Sequence, residues 1–153
     1  MKVVIGADHG GFELKNALLT FLEGKGYEVV DEGPSAFDPD DDYPDFGKKV
    51  AEKVGKEGSE VGQKKVMGIL ICRSAAGIVI AANKVKGIRA VAAINEKQAR
   101  HSREHNDANV IGLSGDWTSE QEAKKIVTAW LETPYSNEER HTRRLKKIAS
   151  MEK

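Results

Sequence analysis

Short apolar runs alternate with amphipathic or polar stretches along the whole chain. Residues 2–7 are a β-branched run that predicts a first strand. After Asp8-His9-Gly10-Gly11, the residues Phe12, Leu14, Leu18, Leu19, Phe21 and Leu22 recur at three- and four-residue spacing. That stripe predicts a helix, which Gly24 and Gly26 stop. Residues 27–30 form a second strand, and residues 32–44 a polar loop, long for a compact α/β domain. A helix with Phe46, Val50, Ala51 and Val54 inward then begins at Asp45, a residue able to cap it. Residues 57–65 read as a polar linker.

The second half repeats the alternation. It predicts a buried strand at 66–71, a helix at 78–84, a strand at 88–94, a polar helix at 95–104 and a fifth strand at 108–113. Thr118 or Ser119 can cap a helix running to about Leu131, and Pro134 then breaks the chain. The charged tail from Ser136 carries only a thin apolar line of Leu145, Ile148 and Met151, and so needs something to lie on; a partner subunit is a natural candidate. Alternating strands and helices, with no hairpin signal, predict a doubly wound, Rossmann-like sheet of five parallel strands in one domain covering 1–153.

Composition narrows the class of partner. Lys plus Arg and Asp plus Glu balance at 24 each, so bulk charge points to neither nucleic acid nor membrane. No apolar run approaches the roughly 20 residues of a membrane span. The start of the chain does not read as a secretory signal, because Asp8 and His9 interrupt its short apolar stretch. A single cysteine forbids an internal disulfide and fits a reducing compartment. The expectation is a soluble cytoplasmic protein.

The ends of strands one, three and five place Asp8-His9, Cys72-Arg73-Ser74 and Ser114-Gly115-Asp116 at the carboxyl edge of such a sheet. His105-Asn106-Asp107 lies just before strand five and is grouped with them at one edge. Each has a plainer explanation. A lone cysteine at a strand end is more often a small buried hydrophobe. Asp8-His9 can be a capped turn, His105-Asn106-Asp107 can close a helix, and Arg140, Arg143 and Arg144 can be a solvated face; His101 reads as solvated. Asp8, His9, Cys72 and His105 offer metal-ligand types, but no CxxC or HxxxH spacing joins them. The first turn, GADHGG, lacks GxGxxG and sets an acid and an imidazole where a pyrophosphate needs bare backbone, so a dinucleotide cofactor is excluded.

Together these blocks resemble one family. Asp8-His9, Asp42-Tyr43-Pro44, the ILIC strand, GIxIAANKxxGIRA over 77–90, HNDANV over 105–110 and RHxxR over 140–144 are similar to type B ribose-5-phosphate isomerases, which group with galactose- and allose-6-phosphate isomerases. The similarity covers nearly the whole chain in order. It implies a three-layer α/β/α sandwich with an extra C-terminal helix, and a homodimer or homotetramer with active sites across a subunit interface. It also implies a sugar-phosphate substrate, no metal and no cofactor.

By the same resemblance the reaction is an aldose–ketose interconversion through a cis-enediolate. Cys72 is the base, Ser74 assists at the reacting carbons, and His105 opens the furanose ring with Asp8 near the sugar. Asn106 and the backbone around Ser74 to Gly77 hold the enediolate, and Tyr43 lines the sugar site. His9, Arg140 and Arg144 resemble a phosphate clamp, with His141 among the binding residues. An ordinary thiol ionises near ~8.5, so the base needs tuning, which Arg73 and the following helix start can supply.

Two departures stand out. Arg73-Ser74-Ala75-Ala76-Gly77 replaces the family's Gly-Thr-Gly-x-Gly, and Ser114-Gly115-Asp116 replaces a Gly-Ser-Arg whose arginine helps bind phosphate. Arg73 can return the lost charge from another direction. Alternatively the sugar differs or carries no phosphate, or the protein binds a sugar phosphate without isomerising it.

Overall fold

The computed structural model describes residues 1–58 and 60–153. Of the sequence-predicted linker over 57–65, Ser59 lies outside the described residues. The strands are β1 (Lys2–Ala7), β2 (Glu28–Asp31), β3 (Val66–Cys72), β4 (Ala90–Ala92) and β5 (Val110–Ser114). The helices are α1 (Phe12–Gly24), α2 (Tyr43–Gly58), α3 (Ala76–Ala82), α4 (Glu96–Asn106), α5 (Glu120–Glu132) and α6 (Glu139–Ala149). All five strands are parallel in the order β2-β1-β3-β5-β4.

The period of two along each strand sorts the core into two layers. Val3, Ile5, Met67, Ile69, Ile71, Ile111 and Leu113 face one side, where Leu18 and Leu22 of α1, Ala99 of α4 and Ile126, Val127 and Trp130 of α5 cover them. Val4, Leu70, Cys72 and Val110 face the other, under Phe46, Val50 and Val54 of α2 and Ile78 of α3. Strands buried on both faces read as continuous apolar runs, and β3 is buried at every position. The result is the three-layer sandwich expected from sequence.

Two of the boundaries that differ from the sequence prediction have a local cause, and the cap of α5 falls on one of the two residues expected. Helix α2 starts at Tyr43 rather than Asp45, because Pro44 sits in the first turn, where no backbone N–H is required. Strand β4 is confined to Ala90–Ala92. Before it, the Arg89 N–H goes to the Asn109 side chain (2.8 Å). Along its outer edge the Asn83 amide takes both the N–H and the carbonyl of Ala90, each at 2.8 Å. Helix α5 is capped by Ser119, in a capping box with Glu122.

The C-terminal helix α6 lies at the amino edge of the sheet. Leu145 is buried there against its own chain, beside a cavity shared with Gly55, Val61 and Gly87, while Ile148 and Met151 stay exposed.

Candidate active site

Strand β3 ends in Cys72, 4% exposed and on the α2–α3 face. The connections leaving β1 and β3 run to opposite sides of the sheet, toward β2 and β4, which opens a crevice at the carboxyl edge. Asp8 closes β1: it is buried, its Oδ1 accepts the Gly10 N–H at 2.9 Å, and it caps the 3-10 turn His9–Gly11. Burial pushes the Asp8 carboxyl above its ordinary range, and its bond to Gly10 pulls the other way.

The turns after β3 and β5 are tied together. The Gly115 N–H donates to the Cys72 carbonyl (2.8 Å) and the Asp116 N–H to the Arg73 carbonyl (3.2 Å). Gly115 has to be glycine, because a Cβ there would stand 2.1 Å from the Gly10 carbonyl oxygen. Ser74 is half-buried, and its Oγ accepts the Ala76 N–H at 3.4 Å. Ala75 holds a left-handed backbone, φ 69°, a region that disfavours residues with a Cβ. Over the start of α3 lies Tyr43; a Cβ on Gly77 would come within 2.5 Å of its ring. Asp8, His9, Tyr43, Cys72, Arg73, Ser74 and Gly77 thus lie around the end of β3, with His9 and Arg73 lining one cavity and Tyr43 and Gly77 another.

His105 and Asn106 are not there, which corrects the grouping at one edge. A helix joining two parallel strands runs against them, so α4 begins at the carboxyl edge and ends at the amino edge. The bonds around it fix that end. Gly68, near the start of β3, donates to the Asn109 carbonyl at 2.9 Å, and Gly62 donates to Asp107 at 2.7 Å. From Gly68 to Cys72 the strand rise alone is roughly 13 Å.

At this second edge His105 lies between two imidazoles, tilted against His101 at 3.9 Å and stacked on His141 at 4.2 Å between ring centroids. His141 is buried and hydrogen-bonded to Ser136 Oγ at 2.9 Å; burial, then the neighbouring His105, push its pKa down. Asp107 closes α4, as that block can, and is wholly buried, facing Arg89 and Arg103. Arg140 pairs with Glu138 at 2.8 Å, and Arg144 is exposed on the same helix. One chain thus holds two groups of candidate residues, at opposite edges of its sheet.

The sequence pattern that defines the family described as Ribose/Galactose Isomerase matches residues 3–148. The chain belongs to this family. Its similarity to individual members runs end to end. It is 42% identical over 151 residues to the probable ribose-5-phosphate isomerase B of Mycoplasma genitalium, covering 99% of this chain and 95% of that protein. It is 40% identical over 153 residues to ribose-5-phosphate isomerase B of Mycobacterium tuberculosis, covering 100% and 91%.

Solved structures agree. The Mycoplasma genitalium enzyme with bound ribulose-5-phosphate superposes with a TM-score of 0.92 at 42% identity, covering 99% of this chain and 95% of that one. Ribose-5-phosphate isomerase B of Clostridium thermocellum gives 0.90 at 46%, covering 99% and 97%. Membership in the ribose/galactose isomerase family makes this protein an isomerase.

The structure draws in two residues to which the sequence alone assigned no role. Asp41 accepts both the backbone N–H of His9 (2.9 Å) and its Nδ1 (2.8 Å), and this bond foremost raises the His9 pKa. Four aspartates crowd the loop, at 38, 40, 41 and 42, and nothing in their order says which one returns to His9. Asp8, His9 and Asp41 bring potential metal ligands within 4.8 Å of one another, but the imidazole and Asp41 already bond to each other. His101, expected to be merely solvated, is exposed yet packed against the His105 ring. The four-residue spacing of those two histidines was the available signal. Among the described residues no helix is long and apolar enough to cross a membrane.

Proposed function

We propose that this isomerase interconverts ribose 5-phosphate and ribulose 5-phosphate through a cis-enediolate, at active sites completed by a second copy of the chain. The observation that carries the reading is the ribulose-5-phosphate-bound relative, matched over 99% of this chain at a TM-score of 0.92. On the open-chain aldose, the Cys72 thiolate takes the proton from C2 and the C1 carbonyl oxygen takes up the charge, giving the enediolate. The C2 hydroxyl passes its proton to the C1 oxygen, and the C2 proton waits on the thiol. The proton then returns to C1 and the C2 oxygen becomes the carbonyl, so the step is redox-neutral overall and needs no co-reactant.

Ser74 and the backbone from Ser74 to Gly77 lie beside Cys72 and serve the enediolate oxygens. Asp8 and Tyr43 contact the sugar, and His9 contacts the phosphate. His105 opens the ring, Asn106 assists at the enediolate, and Arg140, His141 and Arg144 bind the phosphate end. Within one chain these last five sit at the far edge from Cys72. A two-fold dimer is the simplest assembly that sets one copy's His105 against the other's Cys72.

Mixing inactive variants tests chemistry and assembly together. Cys72→Ala and His105→Asn are each expected to abolish proton exchange at C2 while keeping the fold. Co-refolded in equal amounts they are expected to recover about a quarter of wild-type activity, because half of a random dimer population holds one intact site of two. Near-normal turnover by Cys72→Ala alone removes the thiol base, and no recovery on mixing removes the shared site.

A second reading keeps the chemistry and changes the sugar. The features that favour it are Ala75 at φ 69° and the carboxylate of Asp116 beside the crevice. Relative kcat/KM on ribose 5-phosphate, allose 6-phosphate and ribose separates the two.

A further inference from the structure

His9 and Arg73 line one cavity of about 460 Å³ between α1 and the turn after β5, and the aspartates that hold them differ in exposure. His9 is bonded twice to Asp41, whose side chain is only 9% exposed. Arg73 stands 3.5 Å from Asp116, and those side chains are 64% and 43% exposed. The first pair is short and largely buried. The second is long and solvated, the kind of ion pair that contributes little and exchanges readily.

The stem of Arg73 is directed as well. A Cβ at Gly10 would fall 2.4 Å from Arg73 Cγ, so the missing side chain at Gly10 is what lets the arginine cross the β1–α1 turn into the cavity. Three carboxylates face the same space, Glu13 from α1, Asp116 from the turn and Glu120 from α5. Without Arg73, this chain would set one imidazole against all three, leaving a dianion to the arginines of the second copy alone.

We propose that Arg73 selects for a phosphorylated substrate, with Asp116 as its exchangeable counter-ion. The phosphate monoester displaces Asp116, and Arg73 and His9 hold it between them; in the free enzyme Asp116 parks the guanidinium over the cavity. A phosphate dianion offers the guanidinium fork two oxygens and more charge than one carboxylate does, so the exchange runs in its favour. The inference rests on the isomerase reading above, since it assigns the anionic end of that substrate.

The two carboxylate roles give predictions of opposite sign. Arg73→Ala is expected to weaken binding of inorganic phosphate, followed by calorimetry on the full chain, by on the order of 10–100-fold. It is expected to lower the ratio of kcat/KM for ribose 5-phosphate over ribose by a similar factor, and Arg73→Lys to recover part of both. Asp116→Asn is expected to tighten phosphate binding several-fold, because it removes both the competitor and a repulsive charge. Unchanged phosphate affinity in Arg73→Ala, or weaker affinity in Asp116→Asn, overturns the assignment. If wild type binds phosphate through Arg73 but isomerises neither sugar, the isomerase reading fails and the assignment stands. If wild type isomerises ribose 5-phosphate and Arg73→Ala changes neither readout, the assignment fails alone.

Discussion

Replacing Asp107 with asparagine keeps the side chain's shape and one oxygen but removes a charge that two guanidiniums share. Its Oδ2 accepts from Arg89 Nη2 (3.0 Å) and from the Gly62 N–H (2.7 Å). Its Oδ1 lies 2.9 Å from Arg103 Nη2, close enough for an ion pair although not aligned as a hydrogen bond. The Asp107 and Arg103 side chains are both 0% exposed. Burial pulls the Arg103 pKa down, and Asp107 is the group that opposes it. In the variant Arg103 stays charged, with carbonyls of Ala108 and Thr133 as its remaining acceptors.

Breaking a buried pair from one side costs about 3–5 kcal/mol, against a total of roughly 5–15 kcal/mol for a domain. The left-handed backbone at Asp107, φ 46°, does not confound the test, because asparagine tolerates that region. Urea unfolding followed by circular dichroism, at one fixed protein concentration, reads the loss. With a slope of about 2 kcal/mol per molar, the midpoint is expected to fall by roughly 2 M. A loss below about 1 kcal/mol, no more than an ordinary hydrogen bond, would refute the claim that Asp107 anchors this turn.

Two other perturbations probe the crevice. Asp41 raises the His9 pKa, so the imidazolium and the stability it adds are fully present below the unfolded-state pKa and are lost as pH rises through the higher folded one. Asp41→Asn is expected to move the rise in KM for ribose 5-phosphate to lower pH; superimposable KM–pH profiles would exclude that role. Gly115→Ala drives a methyl group onto the Gly10 carbonyl, backbone against backbone. It is expected to cost about 1–3 kcal/mol and to lower kcat/KM on the order of 100-fold by parting the two turns, and a variant with wild-type stability and rate would contradict the contact.

The apolar runs made the sheet and its two covering layers legible, since β1, β3 and β5 are buried on both faces. What they left open was direction. His105 ends a polar helix that precedes a strand, and that order alone places it at the amino edge. Its resemblance to the cysteine block in chemistry hid the point, because motif residues that act together need not come from one chain. Asp107 shows the same difficulty on a smaller scale: within three consecutive residues, one is stacked on imidazoles, one is exposed and one is buried in an ion-pair network. Tyr43 and Gly77 could be named separately from sequence, but their contact depends on α2 beginning two residues earlier than expected.

The stacked histidines also give the protein a built-in spectroscopic marker. The ring protons of His105 sit beside two imidazoles, that of His101 on its own helix, tilted at 3.9 Å, and that of His141 on α6, stacked at 4.2 Å. Their proton resonances should be displaced upfield, and release of α6 should return them toward free-histidine positions. The lines of one residue would then report, without any label, whether the C-terminal helix is seated when substrate arrives.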